Sequence, residues 1–87
     1  MTRIEVKEKF GEPDVMNSRS LYYFDECVVY RRYRYGKRYT KRRMQFKDNK
    51  LQAYDEKNKK WVGGNVPKEV TEAYTHFITE KILLGAS

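Results

Sequence analysis

The 87-residue chain has one cysteine, one histidine, one tryptophan and no long apolar run. With Cys27 alone no internal disulfide can form, so a reducing, cytoplasmic compartment is expected. The opening stretch MTRIEVKEKFGEPD lacks the apolar centre of a signal peptide and carries no lipidation motif. No segment approaches the roughly 20 apolar residues that cross a bilayer. His76 has no identifiable catalytic partner, and no ligand set has the spacing of a metal site. Cys27 alternates with Val29 on an apolar strand row and reads as an inert thiol. Asp25-Glu26 and Asp55-Glu56 are strand neighbours near turns, poorly placed to share one catalytic centre, and Gly63-Gly64 lacks the Lys-Ser/Thr of a phosphate loop. These absences leave a non-enzymatic protein with no cofactor and no small-molecule substrate as the expectation. Repeats and low-complexity tracts are missing too.

Acid is missing from residues 30–47, YRRYRYGKRYTKRRMQFK, which hold nine basic residues and four tyrosines. The chain carries 19 Lys+Arg against 12 Asp+Glu, a net charge of +7, so the rest of it has ten basic and twelve acidic residues, or −2. The net positive charge therefore belongs to one segment. Although the mean hydropathy is −0.97, a hydrophobic fraction of 39% and an aromatic fraction of 15% are enough for a small folded core rich in Tyr. At this length the chain forms a single domain, residues 1–87.

Thr2 and Glu5 form a capping box for a short helix that ends at Gly11 before Pro13, with Val6 and Phe10 one turn apart. Residues 14–20 read as a polar connection. Strand signal runs from LYYF through CVVYRRYRY, with a tight turn expected at Gly36-Lys37 and a second at Asp48-Asn49. Those turns would place Val29 opposite Met44, Cys27 opposite Phe46, Arg31 opposite Arg42, and Arg32 opposite Lys41. The second would place Phe46 opposite Leu51 and Met44 opposite Ala53. One face then collects Cys27, Val29, Met44, Phe46, Leu51 and Ala53 as core, and the other collects Val28, Tyr30, Arg32, Arg34, Tyr39, Lys41, Arg43 and Tyr54. Whether LYYF is a separate strand stays open at this point. Residues 55–60 are a loop or a further hairpin. Trp61, flanked by Lys59 and Lys60, either extends the binding surface by stacking or, the reading preferred in so small a domain, covers the edge of the core beneath the closing helix. That helix begins at Pro67, with Val70, Tyr74, Phe77, Ile78 and Ile82 as its apolar stripe. The layout is a two-layer α+β domain: a short N-terminal helix, a three- or four-stranded antiparallel meander, and a C-terminal helix packed on the sheet.

The run TRIEVKEKFGEPD, the strand YYF and the hairpin MQFKDNKLQAY resemble the SmpA/OmlA (BamE-like) domain over roughly residues 2–54. Thr2, Glu5, Val6, Phe10, Gly11, Pro13, Asp14, Tyr22, Tyr23, Phe46, Asp48 and Leu51 match its pattern. Asn49 stands where that family usually has Gly, and the closing helix is additional. The resemblance implies the fold and a binding role without catalysis.

The basic hairpin is the candidate site: Tyr30, Arg32, Arg34, Lys37, Arg38, Tyr39, Lys41 and Arg43. Arg and Lys neutralise phosphates, and Tyr rings stack on exposed bases. A like-charged pair such as Arg32 and Lys41 costs a sheet some stability, which invites a functional reason. The bland alternative is the wet face of a small sheet, where Arg, Lys and Tyr are at ease. The ligand expected first is a polyanion, with nucleic acid foremost. The alternative is an adaptor or inhibitor docking an acidic protein surface, with anionic lipid satisfying the same charges.

Overall fold

Local capping chemistry sets the first element. In the computed structural model, which describes residues 1–85, the Thr2 hydroxyl accepts the Glu5 amide at 3.3 Å and opens α1 (Arg3–Phe10). Gly11 closes it at φ 83°, a left-handed value that suits glycine, and donates its amide to the Lys7 carbonyl. The chain then turns back, and the Asp14 carboxylate accepts the Phe24 amide at 2.9 Å.

Among the described residues the strands form one six-stranded antiparallel sheet in chain order: β1 (Val15–Met16), β2 (Ser20–Tyr23), β3 (Val28–Arg32), β4 (Tyr39–Lys47), β5 (Lys50–Asp55) and β6 (Lys60–Val62). The final helix is α2 (Lys68–Gly85). This is the expected α+β fold, with more strands than the three or four expected. The extra strands are short. β1 lies in the supposed polar connection, LYYF supplies a separate strand, and residues 55–60 close a real hairpin onto β6.

The second central hairpin has the expected register. Asp48 (φ 53°) and Asn49 (φ 63°) are both left-handed, and Phe46 faces Leu51 while Met44 faces Ala53. The first hairpin does not. Val29 faces Arg42, Tyr30 faces Lys41, Arg31 faces Thr40 and Arg32 faces Tyr39, a slip of two residues from expectation. The turn is not a tight Gly36-Lys37 pair. A longer loop runs over residues 33–38, closed by Tyr33 donating to the Arg38 carbonyl at 2.6 Å, and Gly36 is not left-handed. A slip of two preserves which face each side chain takes, so the expected core row survives. The like-charge pairing of Arg32 with Lys41 does not.

Each face of the sheet is covered differently. On one, Val29, Met44, Leu51 and Ala53 pack with Val66, Val70 and Tyr74, and Phe46, Cys27, Phe77 and Ile78 close around them. α2 therefore lies on the sheet through its apolar stripe. Ile82, expected in that stripe, is 64% exposed, as the last turns of α2 are exposed throughout. On the opposite face α1 lays Val6 and Phe10 over Leu21, Tyr23, Val28, Tyr30 and Tyr39.

Candidate functional site

The outer half of the β3–β4 hairpin continues the α2-side row past the core. Strand alternation carries that row from Val29 to Arg31 on β3 and from Met44 to Arg42 and Thr40 on β4. Arg31 and Arg42 stand half-buried on this row and line an open hollow. The resulting cavity of about 830 Å³ is lined by Arg19, Arg31, Arg32, Arg34, Arg42 and Lys57, together with Tyr33, Tyr35 and Thr40.

Two of those cations come from distant turns that are themselves fastened. Asn17 Oδ1 accepts the amides of Arg19 (2.9 Å) and Ser20 (2.8 Å), and the Arg19 carbonyl accepts the Arg32 amide at 2.8 Å. On the other side, Asp55 Oδ1 accepts the Lys57 amide at 3.0 Å, while Asp55 Oδ2 accepts Asn58 Nδ2 at 2.8 Å. The Asp55 carboxyl is held below the usual carboxylate range mainly by the Asn58 side-chain hydrogen bond, with Arg42 adding a smaller attraction. It therefore stays ionised, engaged by its own turn.

The cavity has no carboxylate in its lining, and among the described residues none of its six cations makes an ion pair. Like charges held around one concavity raise its potential and favour an anion there. A neighbouring hollow of about 460 Å³ shares Arg19 and Arg31 and continues past Asn17 and Ser20 to Pro67 and Glu69 at the start of α2.

The expected site residues divide between the two sides of the sheet. Arg32 and Arg34 line the cavity. Lys37 and Arg38 are exposed on the hairpin loop, and Arg38 bridges to Thr2. Lys41 and Arg43 are exposed on the opposite face, where the Arg43 guanidinium lies 4.7 Å from the Tyr54 ring and 6.0 Å from the Trp61 ring. Trp61 is thus a half-buried partner of Tyr54, at 5.0 Å, on the face away from α2. It does not cover the core beneath that helix.

Tyr30 and Tyr39 are not available to a ligand. Tyr30 is 1% exposed and Tyr39 7%. Tyr30 stacks on Phe10 at 5.2 Å and meets Tyr23 edge-on at 5.7 Å, because α1 folds back over this end of the sheet. The Val6 and Phe10 stripe of α1 needs an apolar surface, and these tyrosines supply it. Among the described residues the most exposed aromatics are Tyr33 and Tyr35 on the loop. The expected set also omitted Arg19 and Lys57, which no local pattern links to the hairpin, and Arg31 and Arg42, whose alternation with Val29 and Met44 does place them together.

Elsewhere, Cys27 Sγ lies 3.5 Å from the Tyr74 hydroxyl, and burial, followed by this hydrogen bond, pushes the Tyr74 phenol up to about 12. His76 is exposed on α2. No described helix is long and apolar enough to cross a membrane. Compared with protein-family models, curated proteins and solved structures, the chain matches none.

Proposed function

We propose that the protein is a non-enzymatic binding module that takes a polyanion, nucleic acid foremost, on the cation-lined hollow of the β3–β4 hairpin. The observation that carries this reading is the cavity itself, in which six Arg and Lys side chains converge with no carboxylate among them. Five of the six are arginines, whose planar forks match phosphate oxygens in a bidentate way. Binding would release counterions condensed on the nucleic acid, so affinity should fall steeply as salt rises. A cytoplasmic location fits the single cysteine and gives access to nucleic acid.

The test is a binding titration with single-stranded DNA, RNA and duplex DNA at two salt concentrations. If the hollow neutralises about four phosphates of a single strand, the slope of log affinity against log salt should be about −3. No binding even at low salt would overturn the reading and pass the site to the second candidate, an acidic protein surface.

A further inference from the structure

We infer that the ligand of this site is a single strand, with its phosphates in the hollow and its bases stacked on Tyr33 and Tyr35. This inference rests on the polyanion reading and narrows it. Tyr33 is 57% and Tyr35 80% exposed, among the most exposed large hydrophobic side chains outside the end of α2. Both line the cation cavity, so aromatic faces and phosphate-binding groups share one wall.

The rings are also presented on a fastened loop. Tyr33 donates to the Arg38 carbonyl, Gly36 donates to the Tyr33 carbonyl at 3.2 Å, and Tyr39 donates to the Met1 carbonyl. The two rings stand edge to face at 6.4 Å, and the Arg34 guanidinium lies 5.5 Å from the Tyr35 ring. Arg34 lies over one face of the Tyr35 ring, and the exposure of both rings leaves further ring surface open to a flat partner. Bases in a duplex are already stacked on each other and offer no free face to a tyrosine. Cations attract either form of nucleic acid, whereas exposed rings discriminate for the unpaired one.

The experiment compares the wild-type chain with the Tyr33→Leu, Tyr35→Leu double variant. Dissociation constants would be measured for oligothymidylate, oligouridylate and a duplex of equal length, at two salt concentrations. Both positions are exposed, so the fold should persist, and circular dichroism of the variant checks this. The inference predicts a loss of roughly 5- to 150-fold per ring for single strands, little change for duplex, and an unchanged salt slope. Restoring an aromatic ring at position 35, as Tyr35→Trp in the Tyr33→Leu background, should recover one ring's share of the single-strand affinity and leave the Tyr33 share missing. Oligodeoxyuridylate, which shares its base with oligouridylate and its sugar with oligothymidylate, separates an effect of the 2′-hydroxyl from one of the thymine methyl and so tells a DNA from an RNA preference.

Equal losses for strand and duplex, or none for either, would overturn the stacking assignment while leaving the polyanion reading intact. If the wild type binds no nucleic acid at all, both fail together.

Discussion

Replacing Tyr30 by Phe should make the protein more stable, although it removes a hydroxyl from the centre of a core cluster. That hydroxyl is fully buried and has no hydrogen-bond partner among the described residues. A buried polar group left unsatisfied costs about 1–3 kcal/mol, and phenylalanine removes the cost with the group. The ring packing against Phe10 and Tyr23 remains, and the void left by one oxygen is small. A net gain of about 1 kcal/mol follows, or roughly 4–8 °C in Tm for a domain of this size. Tyr23→Phe is the matched control. It lies in the same cluster, but its hydroxyl donates to the Gly11 carbonyl at 2.8 Å, so the same substitution should cost about 1 kcal/mol. Urea unfolding of the three proteins, compared by midpoint at constant slope, reads both signs. A Tyr30→Phe midpoint below that of the wild type would show that the hydroxyl has a partner and would refute the reasoning. The variant should also bind any polyanion as the wild type does, because the residue lies beneath α1.

The tyrosine core makes the fold sensitive to alkali. Burial raises Tyr74 to about 12 and also raises Tyr23 and Tyr30, for which nearby carboxylates are the next contributors. In the unfolded chain these phenols ionise near pH 10, before the folded ones, so stability should fall as pH rises from about 10 to 12. The Tyr74 share should be the largest, and Tyr74→Phe should flatten that part of a pH-dependent urea series. Asn49→Val forces a β-branched residue to φ 63° and should cost about 1–2 kcal/mol in the same assay, whereas Val at the exposed, ordinary strand position Lys47 should cost little.

How much of this was legible follows from how local each cause is. α1 is fixed by Thr2, Glu5 and Gly11 within its own turn, and the second hairpin by two left-handed residues at Asp48 and Asn49, so both could be read directly. The first hairpin has no such pin. Gly36 offered a tight turn that the chain does not use, and the register moved by two while the faces stayed as alternation dictates. Burial of Tyr30 and Tyr39 depends on where α1 lands, a tertiary fact with no marker in the strand itself. The cavity needs Arg19 and Lys57 from two separate turns, brought to the hairpin only once β1–β2 and β5–β6 have paired. Localised charge was visible, but its division between two faces was not.

The central claim concerns which face acts, and two double variants compare the faces directly. Arg31→Gln with Arg42→Gln removes two cations from the cavity, whereas Lys41→Gln with Arg43→Gln removes the same charge from the opposite face. Affinity for a single-stranded oligonucleotide, measured across a salt series, should fall at least tenfold for the cavity pair. Its salt slope should shrink by about 0.7 for each phosphate that is no longer neutralised. The opposite-face pair should stay within a few-fold of the wild type. Equal reductions in affinity from the two pairs would show that only diffuse charge is at work and would contradict a site in the hollow.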